Sequence, residues 1–119
     1  MLLIVADDSS VMRRIVIRTL RQAGFDNLEI IEAGDGAELV EMVRTHNPDL
    51  VLSDWNMPNL TGLQALAAIR AGGYQVPFGF ITAEGSDMMR AQAAQAGASF
   101  LVAKPFNAET IQEALFAFM

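Results

Sequence analysis

Five short apolar runs punctuate the chain: LLIV at 2–5, LEII at 28–31, LVL at 50–52, FGFI at 78–81 and FLVA at 100–103. They lack the strict in–out alternation of a half-solvated sheet and read instead as strands buried on both faces. Between them the spacing becomes helical. Met12, Ile15, Val16, Leu20 and Ala23 form an i, i+3, i+4 stripe over 11–23, with Ser10 as candidate cap and Gly24 in the C′ place. A second helix is predicted over 36–45, capped by Asp35 and closed before Pro48, and a third over 62–71, stopped by Gly72 and Gly73. Ser86 and Asp87 open an alanine-rich fourth that ends before Gly97. Asn107 opens a fifth, AETIQEALFAF, running to the chain end.

Strand and helix thus alternate five times. Such alternation implies an α/β fold, a single doubly wound five-stranded parallel sheet with right-handed crossover helices on both faces. No linker, repeat or low-complexity segment interrupts it, so residues 1–119 are expected to form one domain. A chain of this length buries roughly two thirds of its unfolded surface. Ending inside a predicted helix suits either a small protein or a domain cut from a longer one.

Composition narrows the partners. Hydrophobic residues make up 52% and mean hydropathy is +0.29, which excludes a disordered chain. A net charge of −6 and a pI near 4.5 argue against direct nucleic-acid binding, which needs clustered Lys and Arg. Without cysteine there is no disulfide framework and no thiolate metal site, and a cytoplasmic setting is permitted. MLLIVA meets Asp7 and Asp8 at once and is too short for a signal-peptide core. No apolar run approaches the ~20 residues of a membrane span.

In an open parallel sheet, ligands bind beyond the carboxyl ends of the strands. Asp7 and Asp8 follow the first run, Asp54 the third, Thr82 the fourth and Lys104 the fifth, whereas the second ends in Glu32 and Ala33 with nothing comparable. Each residue alone has a plain explanation: helix-start acids, a turn aspartate, a strand threonine, a solvated lysine. Together they place three carboxylates, one hydroxyl and one ammonium on one edge. Crowded carboxylates repel, and at least one should have a raised pKa without a counter-charge. A hard divalent cation such as Mg²⁺ relieves that repulsion and leaves room for a phosphate oxygen. Lys104 and Thr82 could hold other phosphate oxygens, and an aspartate could be the nucleophile of an acyl phosphate.

The motifs DDS at 7–9, DWNMP at 54–58 with Gly62 following, TAE at 82–84 and KPF at 104–106 resemble those of the response-regulator receiver domains of two-component signalling, over essentially the whole chain. SVMRRI and DWNMPN resemble the single-domain chemotaxis branch in particular. The resemblance implies a flavodoxin-like sheet of order 2-1-3-4-5. It implies that Asp54 accepts a phosphoryl group from a sensor histidine kinase or phosphotransfer domain. By the same resemblance Asp8, Asp54 and the main-chain carbonyl of Asn56 bind Mg²⁺ (or Mn²⁺), with Asp7 acting through metal-bound water. Lys104 then pairs with the phosphoryl group, Thr82 is the switch that reports it, and Asn56 and Glu84 tune its hydrolysis. The chain is in this view no general enzyme, catalysing only its own phosphorylation and dephosphorylation. Lys104-Pro105 matches a family site where the peptide bond is cis.

The family often has an aromatic switch residue three places before the lysine; here that place holds Leu101, and Phe100 is one earlier. Side chains alternate across a strand, so Phe100 should be core and Leu101 should face the fourth helix, making any coupling to Thr82 weaker or purely steric. The expected output surface is the face of the fourth helix, fifth strand and fifth helix, including Gln92, Gln95, Leu101, Ala103 and Gln112. It could take an effector protein or a second copy in a phosphorylation-dependent homodimer. His46 reads as a helix-end dipole partner, Arg13 and Arg14 as a solvated face, and Met42, Met88 and Met89 as packing. Part of the final LFAFM should pack on the sheet. Two other readings compete, the second of which shares the topology. An aspartyl-phosphate phosphatase needs an acid two residues past the nucleophile, where Asn56 stands. A flavin carrier needs a Ser/Thr/Gly-rich phosphate loop where ADDSSV offers acids.

Overall fold

Apolar runs become strands and striped segments become helices in the computed structural model, which describes residues 1–118. In chain order these are β1 (Leu2–Ala6), α1 (Ser10–Gln22), β2 (Glu29–Ala33), α2 (Gly36–His46), β3 (Leu50–Asp54), α3 (Gly62–Ala71), β4 (Phe78–Thr82), α4 (Asp87–Ala96), β5 (Phe100–Ala103) and α5 (Ala108–Leu115). All strand pairs are parallel and the sheet order is β2-β1-β3-β4-β5. The doubly wound, flavodoxin-like arrangement is therefore present.

The helix ends show which local signals decided them. Asp35, Ser86 and Asn107 cap α2, α4 and α5 as expected, each accepting the amide three residues on. At α1 the cap is Ser9, not Ser10: Ser9 is extended and accepts the Met12 amide, so Ser10 already lies in the first turn. A reciprocal capping box between Thr61 and Gln64, not foreseen from the pattern, starts α3. The fifth helix is shorter than expected. It ends at Leu115, and a 3-10 turn covers Phe116–Phe118; the expectation that it reaches Met119 lies outside the described residues.

Alternation along the strands divides the core into two layers. Leu3, Val5, Leu52, Ile81 and Val102 face α1 and α5 through Val16, Leu20, Ile111 and Leu115. Ile4, Val51, Phe78 and Phe80 face α2, α3 and α4 through Leu39, Val43, Leu66, Ile69 and Ala93. Each fully buried Leu, Ile or Phe contributes about 1.5–3 kcal/mol relative to exposure. Phe100 and Leu101 join opposite layers, as alternation requires. Phe100 is only half-buried, because β5 is an edge strand; its ring lies 5.5 Å from that of Phe118. Met42 packs on the core, but Met88 does not pack, being 74% exposed. Of the final apolar residues, Leu115 is fully buried and Phe118 packs beside it, while Phe116 is 79% exposed.

Gly79 of β4 sits beneath the ring of Phe100, its partner in register, and a Cβ there would overlap the ring carbons. Alanine would ordinarily favour a strand over glycine. Here Gly79→Ala should instead lower the denaturation midpoint, by about 1–3 kcal/mol of stability. The loss should shrink in a Phe100→Leu background. An undiminished loss in the double variant would place the conflict elsewhere.

Candidate functional site

Register explains why the acids meet. Ala6 of β1 lies beside Ser53 of β3, so Asp7 and Asp54 follow at the same edge and Asp8 comes one residue later. One carboxylate oxygen from each of Asp7, Asp8 and Asp54 lies within 4.8 Å of the other two. Asp7 is buried, Asp54 half-buried and Asp8 exposed. Asp7 Oδ1 accepts the Ser9 amide at 2.9 Å, and Asp54 Oδ1 accepts the Trp55 amide at 2.9 Å. The ring of Trp55 lies tilted at 47° against that of Phe80, centroids 4.7 Å apart.

The other half comes from β4 and β5. Thr82 pairs in register with Ala103, and the Lys104 amide donates to the Thr82 carbonyl at 2.7 Å. Lys104 Nζ lies 3.6 Å from Asp54 Oδ1 and 4.0 Å from Asp7 Oδ2. The Lys104-Pro105 peptide is cis. Thr82 is buried, and its Oγ1 accepts the Glu84 amide at 3.3 Å. Asn56 and Glu84 are both exposed in the loops that follow Asp54 and Thr82.

Loss of water dominates the electrostatics. Burial pushes the Asp54 carboxyl above the usual aspartate range, against the lowering effects of Lys104 and the Trp55 amide; repulsion from Asp8 adds less. Burial likewise raises Asp7, opposed by the Ser9 amide, with repulsion from Asp54 third. The repulsion expected from the sequence is present but second to dehydration. Three acids face a single ammonium group, so the crevice has a deficit of positive charge. All donors are hard oxygens. That set suits Mg²⁺ or Mn²⁺, which prefer carboxylate and carbonyl ligands, and suits no thiophilic ion.

Several residues lie where the sequence did not lead. Arg13 is no solvated surface group: its Nε donates to Glu32 Oε1 at 2.8 Å and its Nη1 to the Asp7 carbonyl at 2.6 Å. Arg14 is exposed as expected. Glu32, at the strand end judged to carry nothing, is thereby tied to the acids. His46 is exposed in the last turn of α2. Leu101 packs on the α4 side of the sheet, and its carbonyl accepts from Arg90 of α4 at 3.1 Å. Gln92, Gln95 and Gln112 are exposed, and Leu101 and Ala103 half-buried. Two cavities, of about 200 and 440 Å³, flank Arg90 along β5 and leave the acids untouched.

Comparison with known proteins agrees with the fold. A family model described as the response regulator receiver domain matches residues 3–116. The chemotaxis protein CheY of Pseudomonas aeruginosa is 40% identical over 115 residues, covering 95% of this chain and 91% of that protein. CheY-3 of Vibrio cholerae is 41% identical, covering 97% and 88%. Among solved structures, CheY4 of Vibrio cholerae superposes with a TM-score of 0.87 at 31% identity, covering 99% and 98%. The signal receiver domain of NarL from Mycobacterium tuberculosis gives 0.87 at 31%, covering 98% and 93%.

Raised carboxyl pKa values have a signed consequence for the metal-free protein. A group whose pKa is higher folded than unfolded supports the fold fully below its unfolded pKa and loses that contribution as pH rises through the folded value. Ionised Asp54 and Asp7 therefore destabilise the fold near neutrality. In chelator at pH 7, Asp54→Asn should melt a few degrees above the parent, about 4 °C for each kcal/mol in a domain of this size. The gap should close as pH falls below the ordinary aspartate value of 3.8. Thermal melts across that range test this; a gap that is constant with pH would assign the effect to packing.

Proposed function

The chain belongs to the response regulator receiver domain family, of phosphorylation-dependent signalling switches, and on that premise we propose that Asp54 is its phosphoryl acceptor. One observation carries the reading. A dehydrated carboxylate ends β3 with an ammonium group 3.6 Å away and two further acids within 4.8 Å. Transfer of a phosphoryl group adds negative charge to this crevice, so it would draw on Lys104 and on a divalent cation gathered by the three acids.

In the forward step an Asp54 oxygen attacks the phosphorus of a donor phosphohistidine on a sensor histidine kinase or phosphotransfer domain. The phosphorus–nitrogen bond breaks, the imidazole leaves with its electron pair, and an acyl phosphate forms on Asp54. Water later returns the carboxylate and releases inorganic phosphate. The domain thus catalyses only its own phosphorylation and dephosphorylation. Most of the catalysis is positioning and charge neutralisation. Lys104 supplies a fixed cation to the transferred oxygens. Asp7, Asp8, Asp54 and the main-chain carbonyl of Asn56 are the groups to hold Mg²⁺ or Mn²⁺. When bound, such an ion neutralises charge on the phosphoryl oxygens.

Thr82 and Lys104 link the acceptor to the output face. The Thr82 hydroxyl accepts the Glu84 amide and retains a proton to donate to a phosphoryl oxygen. A shift of Thr82 towards Asp54 changes the loop leading into α4, on the side where Leu101 packs. Phosphorylation then shifts an equilibrium between two surfaces of the α4, β5 and α5 face, to the extent that a partner distinguishes them. That face is the proposed contact for an effector protein or, in a phosphorylated homodimer, for a second copy. We read residues 1–119 as one receiver domain working in the cytoplasm, where kinases of this class act. No described helix is long and apolar enough to cross a membrane.

Incubation with Mg²⁺ and a small acyl-phosphate donor should add one phosphoryl group, seen by intact mass and lost to alkali and to hydroxylamine as an acyl phosphate is. Asp54→Asn should abolish it. Trp55 fluorescence should respond first to Mg²⁺ and then to the donor, since its amide bonds Asp54 and its ring lies against Phe80. Undiminished labelling of the Asp54 variant would overturn the assignment.

A further inference from the structure

The end of β2, where no reactive side chain stands, is tied to both halves of the acid site. On the Asp7 side the contacts are threefold. The Asp7 amide donates to the Ala33 carbonyl at 3.1 Å. Its carbonyl accepts from Arg13 Nη1 at 2.6 Å. Arg13 in turn is fixed by its Nε bond to Glu32 at 2.8 Å. Asp7, whose backbone leads into Asp8, is thus anchored by its amide to Ala33 and by its carbonyl, through Arg13, to Glu32.

On the Asp54 side the anchors are residues 35 and 36. Asp35 caps α2 through Oδ1, accepting the Glu38 amide at 2.7 Å. Its other oxygen, Oδ2, accepts from Asn59 Nδ2 at 2.9 Å. Asn59 sits in the left-handed region at φ 69°. Gly36 receives the Leu60 carbonyl where any Cβ would collide with it. The loop from Trp55 to Leu60, which carries Asn56, is therefore clamped onto the amino end of α2. Its far end is closed by the Gly62 amide on the Trp55 carbonyl at 2.8 Å.

We infer that residues Glu32–Gly36 form a positioning jig for the metal-binding acids, acting through Arg13 on Asp7–Asp8 and through Asn59 on the Asp54–Asn56 loop. The inference rests on the Mg²⁺-site reading above. None of the jig residues needs to touch the ion. They set the separation of the two acid-bearing segments, which share no hydrogen bond of their own beyond the sheet. Groups behind ligands commonly govern metal affinity by ten-fold or more.

Arg13 makes the test directional. By charge alone, removing a cation from beside three acids tightens Mg²⁺ binding. Loss of positioning weakens it. Trp55 fluorescence titration of Arg13→Met should show a Mg²⁺ dissociation constant about ten-fold higher; an equal or lower one would overturn the inference for that arm. Asn59→Gly removes the clamp yet keeps a residue that accepts positive φ, and it should raise the constant several-fold. An unchanged constant overturns the second arm. Amide exchange in chelator judges the jig separately from the metal. The Ser9 amide should exchange faster in Arg13→Met and the Gly62 amide faster in Asn59→Gly, each relative to the core amide of Val51. Exchange that rises equally everywhere would mean a merely structural role. If the parent protein binds no Mg²⁺, the site reading fails, and the exchange experiment alone decides the jig.

Discussion

Three carboxylates share the carboxyl edge of this sheet with one ammonium group, and two of the three have been largely removed from water. Lys104 reaches both of them, 3.6 Å from Asp54 and 4.0 Å from Asp7, but cannot neutralise both. Burial raises the carboxyl pKa at each. The fold bears a standing cost there, in a native state held by a margin of only about 5–15 kcal/mol. Such a cost is tolerated where the strained arrangement serves a reaction. Here anything that brings positive charge or donors to the crevice is favoured before chemistry begins. The same deficit governs both the attraction of this edge for cations and the stability of the metal-free fold.

Sheet order turns this local imbalance into a site. Parallel strands deliver every carboxyl end to one edge, and the order β2-β1-β3-β4-β5 puts the two acid-bearing strands side by side. The change of direction between β1 and β3 opens the crevice. β4 and β5 then supply a hydroxyl and a cation from the other flank. β2 supplies no reacting group. Its last residues hold the Asp7–Asp8 segment, Glu32 doing so through Arg13, and Asp35 just beyond it, the cap of α2, holds the loop that follows Asp54.

Legibility followed the range of the interaction. Apolar runs and stripes gave all ten regular elements, because burial on two faces leaves a strong periodic trace. The acids, Thr82 and Lys104 were legible because topology alone assigns strand ends to one edge. The sheet order itself came from family resemblance, since neighbouring strands leave no local mark. Arg13 reads as solvated from the sequence, for nothing nearby shows that Glu32, nineteen positions on, will meet it. The Asp35–Asn59 bond spans 24 positions and was equally invisible. A short-range signal was missed too: Thr61 followed by Gln64 is a capping-box pattern. Met88 failed for another reason. A hydrophobic residue type does not by itself imply burial, and on α4 this side chain faces solvent.

Leu101 places neither an aromatic nor a polar side chain where β5 meets α4. The backbone offers a polar path. Arg90 donates from Nη1 to the Leu101 carbonyl at 3.1 Å and from Nε to the Gly85 carbonyl at 3.3 Å. Gly85 lies three residues after Thr82, with its α-carbon facing Ala103, where an added Cβ would come within 2.9 Å of the alanine methyl. The loop between β4 and α4 is thus closed against β5 by one close packing contact and one guanidinium. A displacement of Thr82 that carries Gly85 with it must either break the Nε bond or pull Arg90 along the edge of β5. Arg90 also bounds both cavities on that edge, so its position fixes their shape. At position 101 it is the backbone carbonyl, and not the side chain, that offers a polar contact to α4.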